Sequence, residues 1–260
     1  MTPLQTEFSW ELPERIWRAV PGDSGTWVFE LRNPTEKKLV FAVMRPGRSR
    51  VETISGETDW WSSLAGLGTS HFYVHNYRNP DIPEPSDLLS FGIETGRLEW
   101  VLPNVRFGGF DVSGALVVAE KKGGELRYGY CEPDTGRLKG PYPEPAFPEA
   151  EKWQEPMRYR AGAEYYELMA GFVRKSTGLK PAGSIEYLDS ADKMIFSFYL
   201  YENDSLVQYI AIVNRLREVE YLTPIEKNLE KEGKNVLMVK EGWLYFVKER
   251  RSFVGINLMV

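Results

Sequence analysis

Glu94-Thr95-Gly96-Arg97-Leu98 returns 40 positions later as Asp134-Thr135-Gly136-Arg137-Leu138. Each copy is an acid followed by Thr-Gly-Arg-Leu. Each lies between two runs rich in β-branched and aromatic residues. The glycine supplies the positive φ that a tight turn between strands demands. A matching turn at a spacing of roughly 40 residues marks a repeated β-unit of the kind found in propeller blades.

The rest of the chain divides against that ruler. Residues 16–20, 26–31 and 38–44 are short apolar and aromatic runs, followed by a weaker piece at 50–54. Polar clusters such as Asn33-Pro34-Thr35 separate them, which predicts consecutive antiparallel strands. A second group holds 60–64, 71–77, 88–93 and 98–102, with a proline-rich loop at Pro80, Pro83 and Pro85. A third holds 105–111, 115–120, 125–131 and the start of a strand at Leu138. Residues 140–160 carry Pro141, Pro143, Pro145, Pro148 and Pro156. They read as an extended connector, and as a subdomain boundary within one domain spanning 1–260.

Beyond the connector, Tyr165, Leu168, Met169, Phe172 and Val173 fall at helical spacing and predict one amphipathic helix over 161–176. Gly178 and Pro181 end it. β-character resumes at 184–188, 193–201, 206–214 and 218–222, and again at 236–239, 243–248 and 253–259. The polar stretch 224–234 reads as a helical turn. Five groups result: 15–54, 59–99, 100–139, 184–222 and 235–260. The last lacks a fourth strand, which residues 8–12 can supply. The expectation is an all-β, antiparallel, propeller-like fold of about five blades, its last blade closed by the N-terminal strand. The alternative is two packed antiparallel sheets.

The segment Ile93-Glu94-Thr95-Gly96-Arg97-Leu98-Glu99-Trp100 resembles the repeat of quinoprotein-type propellers, in which a strand ends in Thr-Gly and a Trp follows four residues after the Gly. The second copy has Gly140 where the Trp would stand. The resemblance implies a fold more than a function, because such repeats serve enzymes and scaffolds alike. Quinone-binding members have larger rings and commonly paired cysteines, which this chain lacks, so no cofactor is implied. Ile185-Glu186-Tyr187-Leu188 before Phe196-Ser197-Phe198-Tyr199 also resembles a bacterial family known only as a domain of unknown function. That family implies no activity.

Composition narrows the function classes. The net charge is −5, with 42% hydrophobic and 27% charged residues over 260 positions. Such a chain can bury a core. It shows no basic excess, so nucleic acid is not an expected partner. Cys131 is the only cysteine, which excludes an internal disulfide and a Cys-rich zinc site. Residues 1–10 carry neither a basic nor an apolar leader, and no apolar run reaches about 18 residues. The expectation is a soluble cytoplasmic protein with no membrane partner.

Few residues are candidates for chemistry. Asp59-Trp60-Trp61 sets a carboxylate beside two large rings, the chemistry of a carbohydrate platform. On a strand the two rings would face opposite ways. Asp111 and Glu120 are candidate acids, and glycoside cleavage would need two carboxylates about 5 to 10 Å apart. His71 and His75 share a strand face but stand about 13 Å apart on it, too far to ligate one ion, so no metal site is expected. The candidate ligand-binding residues are therefore Asp59, Trp60, Trp61, His75 and Asp111. The sequence favours a non-enzymatic module binding a protein or small ligand. The alternative is a carbohydrate-active enzyme with paired carboxylates in a central channel.

Overall fold

The computed structural model describes residues 4–22, 25–45, 52–54, 58–79, 81, 84–142, 144–148, 153–190, 192–233 and 236–259. Arg50, Pro80, Pro83 and Pro143, which entered the sequence argument, lie outside them. The chain is all-β apart from one α-helix among the described residues. It divides into two compact units, Glu14–Ala150 on one hand and Met1–Pro13 with Glu151–Val260 on the other.

The chain begins with β1 (Phe8–Glu11), which belongs to the last sheet. The unit Glu14–Ala150 holds three four-stranded antiparallel sheets in sequence order. The first is β2 (Arg15–Pro21), β3 (Trp27–Asn33), β4 (Lys38–Met44) and β5 (Glu52–Ile54). The second is β6 (Ser63–Leu67), β7 (His71–Asn76), β8 (Asp87–Gly92) and β9 (Leu98–Pro103). The third is β10 (Val105–Phe110), β11 (Leu116–Lys122), β12 (Glu125–Cys131) and β13 (Leu138–Pro141). Up-and-down meanders in chain order are the pattern of propeller blades. Strands β3, β4 and β8 are buried on both faces, so they read as continuous apolar runs rather than alternating ones. Val28, Phe41, Leu64, Phe72 and Phe91 join the first two sheets in one core, and Tyr73, Leu88, Val105, Leu116 and Val118 join the next two.

The Thr-Gly turns seat this packing. Gly96 donates to Gly92 O at 2.9 Å and Gly136 to Glu132 O at 2.9 Å. Gly92 N donates to Arg97 O at 3.0 Å and Glu132 N to Arg137 O at 3.0 Å. The two turns therefore carry the same hydrogen bonds. Gly96 and Gly136 have φ of 64° and 69°, the left-handed region that favours glycine. Trp100 then reaches from the second sheet to the second turn, donating from Nε1 to Pro133 O at 2.6 Å. Its ring covers Gly136, where a Cβ would stand 2.8 Å from the indole.

The other unit carries the remaining two sheets. One has five strands, β14 (Met157–Tyr159), β15 (Ile185–Ser190), β16 (Lys193–Glu202), β17 (Ser205–Asn214) and β18 (Val219–Leu229). The other has the order β1, β21 (Ser252–Asn257), β20 (Trp243–Lys248) and β19 (Leu237–Lys240). The N-terminal strand does complete the last sheet: Phe8 pairs with Gly255 and Glu11 with Ser252. The Phe8 ring lies where a side chain at position 255 would be, and it stacks on Trp10 at 3.9 Å. A glycine under an aromatic ring is a local fit that locks the register of this pair.

Three expectations change. The connector contributes β14, and Gln154 bridges to Val239, so part of 140–160 is strand. Residues 224–229 extend β18 instead of forming a helical turn; an edge strand tolerates Pro224 because its outer N–H side needs no partner. Helix α1 (Tyr166–Thr177) starts five residues later than its spacing suggested. Tyr165 takes a left-handed φ of 68° ahead of the first turn, and Leu168 faces outward. Tyr166 and Val173 form the buried face, with Phe172 stacked on Phe196 at 5.2 Å.

Gly136→Ala is expected to cost more than Gly114→Ala. Both glycines have positive φ, worth about 1 kcal/mol. Only Gly136 has a ring against it, which adds about 1–3 kcal/mol of overpacking. Urea unfolding of the two variants measures the difference.

Candidate functional site

Strand β2 begins the site with an irregularity. Ile16 pairs with Leu31 and Arg18 with Glu30, so Trp17 has no partner on β3. One extra residue in a strand is a β-bulge, which re-aims a side chain. Ile16 stays buried while Trp17 is thrown outward, 62% exposed. The apolar pair Ile16-Trp17 breaks strict alternation, the one signal that could have flagged it.

Behind Trp17 stands a buried ion pair. Arg32 Nε donates to Glu30 Oε1 at 2.6 Å, with both side chains buried. Two charges at i and i+2 inside the apolar run of β3 share a face. Burying them is costly unless their remaining groups are also satisfied. Here they are: Arg32 Nη1 donates to Trp60 O, Nη2 donates to Ser62 O at 2.7 Å, and Glu30 Oε2 accepts Leu64 N at 2.8 Å. The pair thus grips the backbone that enters the second sheet. Its guanidinium carbon lies 5.5 Å from the Trp17 ring centroid and 4.9 Å from that of Trp60. These are cation–π contacts.

Asp59 shapes the same entry. Its Oδ1 accepts Trp61 N at 2.9 Å, Ser62 N at 3.0 Å and Ser62 Oγ at 3.2 Å, an Asx turn. Trp60 and Trp61 therefore sit in a turn ahead of β6, not on a strand, and the opposite-face argument does not apply to them. Trp60 lies over Arg32, and Trp61 is 49% exposed. Among the described residues, no acceptor meets the indole N–H of Trp17, Trp60 or Trp61. Trp100, a packing tryptophan, does have one.

The other candidates lie elsewhere and are committed to structure. His75 Nε2 accepts Phe107 N at 2.9 Å, tying β7 to β10. Burial, with Arg106 and Arg18 nearby, lowers its pKa from 6.5 to about 4, so the ring is neutral. His71 is held by Glu99 at 2.5 Å and Ser70 at 2.9 Å. Asp111 Oδ1 accepts Ser113 Oγ at 2.6 Å and the N–H groups of Ser113 and Ala115 at 2.9 Å. Its Oδ2 accepts the hydroxyls of Tyr130 and Tyr142 at 3.3 Å. The Ser113 hydroxyl first, then the backbone donors, hold its carboxyl below the ordinary range. Glu120 pairs with Val105 and Leu116 with Phe110, so Glu120 and Asp111 lie at opposite ends of the β10–β11 pair. Cys131 is buried, and burial pushes its thiol up to about 11, away from reactivity. Among the described residues, no cluster of three or more His, Cys, Asp or Glu is arranged to hold a metal. A hollow of about 260 Å³ beside Trp153, Ser190 and Lys240 contains none of these candidates.

A family model described as "Domain of unknown function (DUF4905)" matches residues 20–100. The match takes in Glu30, Arg32 and Trp60-Trp61 but stops short of Trp17, and it covers well under half of the chain. No curated protein sequence matches. Among solved structures, BamB from Moraxella catarrhalis is similar at 8% identity, covering 98% of this chain and 99% of that one, with a TM-score of 0.37. The β-propeller domain of the Trilobed protease from Pyrococcus furiosus is similar at 11% identity, covering 90% and 79%, with a TM-score of 0.34. BBS1N in complex with ARL6DN follows at 7% identity, covering 99% and 98%, with a TM-score of 0.33. The fold assignment rests on the strand pairing described above.

Two outcomes test this geometry. Arg32→Ala strands Glu30 and two backbone carbonyls, for an expected loss of about 3–5 kcal/mol in urea unfolding. Adding Glu30→Leu to that variant recovers part of the loss and leaves the freed backbone groups as the remainder. For His75, the folded pKa of about 4 lies below the ordinary 6.5. Its contribution is complete above 6.5 and is lost as pH falls through about 4. Wild type should lose up to about 3 kcal/mol more than His75→Leu across that window. The variant itself starts about 1–3 kcal/mol lower at neutral pH, with Phe107 N left unpaired.

Proposed function

We propose that this chain is a propeller-like binding or scaffold module whose contact surface is the tryptophan cluster of Trp17, Trp60 and Trp61. The observation that carries this reading is Trp17, 62% exposed with the buried Arg32 guanidinium against its ring, together with Trp61, 49% exposed in the turn whose Trp60 and Ser62 carbonyls that guanidinium holds. Large aromatic side chains are the residues that anchor interfaces, and a bulge and a salt bridge are a costly way to present one idly. The partner is a protein or a small ligand. The Thr-Gly turns suit a quinoprotein-type repeat used as a scaffold. A single buried cysteine suits a reducing cytoplasm. No helix among the described residues is long and apolar enough to cross a membrane.

The enzyme reading has less support. Asp111 is filled by five hydrogen bonds and Glu120 lies far along the strand from it. Asp59 is tied into its own turn. The test is an array of glycans, peptides and candidate proteins, run beside a hydrolase substrate panel. The double variant Trp17→Ala/Trp61→Ala should keep its fold, losing about 1 kcal/mol with the cation–π contact. It should lose at least tenfold in binding to whatever the wild type retains. Binding that survives the double variant, or turnover of any substrate, overturns the reading.

A further inference from the structure

We infer that Lys193 and Asn214 join in an intramolecular isopeptide bond, with Glu220 passing the protons. The bond lies within the unit that carries β16, β17 and β18, and it is independent of the tryptophan surface.

Lys193 is the first residue of β16 and Asn214 the last of β17. They pair directly at the open end of the hairpin, while Glu202 and Ser205 pair at its turn. Directly opposed residues of an antiparallel pair share a face, with Cβ atoms about 4.5–5.5 Å apart. Glu220 joins them from β18 through an irregularity. Ile212 pairs with Tyr221 and Val213 with Val219, so Glu220 is the extra residue of a bulge. Three polar side chains thereby meet in one buried place: Lys193 is 2%, Asn214 4% and Glu220 8% exposed.

Their contacts match the groups of an amide exchange. Lys193 Nζ lies 2.8 Å from Glu220 Oε2, and Asn214 Nδ2 donates to Glu220 Oε1 at 3.2 Å. One carboxylate thus touches both the nucleophile and the leaving nitrogen. Asn214 Oδ1 accepts the N–H groups of Leu216 at 2.9 Å and Glu218 at 3.0 Å. Two such donors polarise the carboxamide and hold the oxyanion that forms when an amine adds to it. Two further acids touch the pair. Glu218 Oε2 accepts Asn214 Nδ2 at 3.0 Å, and the exposed Asp192 lies 3.2 Å from the Lys193 amine.

Burial opposes the charge on Lys193, but its contacts with Glu220 and Asp192 outweigh burial and raise its pKa. The resting group is an ammonium, so the first step moves a proton from Nζ to Glu220 Oε2. The neutral amine then attacks Asn214 Cγ. As the bond from Nζ to Cγ forms, the bond from Cγ to Nδ2 breaks. Nζ gives up two protons in all: one leaves on Nδ2 as ammonia, and one stays on Glu220. Atoms and charge balance, and no oxidant or cofactor takes part. A buried ion pair is exchanged for a neutral amide and a neutral acid, which removes the cost of burying charge. The reaction runs once per chain, so a small fraction of neutral amine suffices between groups already held together.

The experiment is intact-mass measurement of the whole chain, before and after prolonged incubation of the folded protein, with tandem mass spectrometry of a tryptic digest. Wild type should be lighter than its sequence by one ammonia. Trypsin should not cut after Lys193, and one branched peptide should join Lys193 to Asn214. Lys193→Arg keeps a cation beside Glu220 without a free amine, and Asn214→Ala removes the acceptor. Both should show the full mass of their own sequences and unfold at lower urea than the linked wild type, whose hairpin is closed at its open end. Glu220→Gln should stay unlinked. Where a variant does not fold, as judged by circular dichroism, the wild-type mass and the branched peptide decide by themselves. A wild type that keeps its full mass overturns the bond. So does an ammonia loss mapped to any other pair, or a loss of water instead, which puts the link on a carboxylate. A folded Glu220→Gln chain that still links overturns the role given to Glu220.

Discussion

The buried pair of Glu30 and Arg32 is the contact on which the described site depends. Two charges inside an apolar strand are tolerable only where every neighbouring dipole is aligned to them. The backbone of Trp60, Ser62 and Leu64 supplies that alignment, so the second sheet can enter in only one way against the first. The same guanidinium is the floor beneath Trp17 and Trp60. One interaction therefore sets a sheet-to-sheet junction and the posture of a surface cluster. Stability and presentation are coupled there.

Junctions between successive sheets of this unit use different chemistry for the same task. The first and second meet through an ion pair and an apolar core. The second and third meet through Trp100 seated on Gly136 and through His75 accepting Phe107 N. In the other unit, Phe8 laid over Gly255 locks the N-terminal strand to the C-terminal one. Each junction places a large or polar side chain against backbone or glycine, where a single geometry fits. Apolar packing alone would tolerate sliding; these contacts do not.

Much of the fold was legible because its signals are local. Glycine in the Thr-Gly turns, period-two and continuous apolar runs, and polar clusters between them mark strands and turns within a few residues. The misreadings have local causes as well. Tyr165 continues a helical stripe one position ahead of the first turn, and Glu226, Lys227 and Asn228 lend a polar look to what is the end of an edge strand. The site was only half legible. Asp59, Trp60 and Trp61 stood out as an acid beside aromatics, but Trp17 and Arg32 lie 43 and 28 positions away from Trp60 and share no motif with it.

The sequence by itself determined the all-β class, the grouping of strands against the repeated turn, and the borrowing of residues 8–11 for the last sheet. The first two follow from backbone preferences that each residue expresses with its neighbours, and the third from a last group one strand short whose open edge needs a partner. Only the tertiary structure decided that Trp17 faces outward, that Asp111 is spent on a turn, and that Arg32 lies against two indoles. Those outcomes depend on strand register and on which sheets meet. A one-residue bulge reverses the face of a side chain, and a buried charge is stable only against partners brought from another sheet.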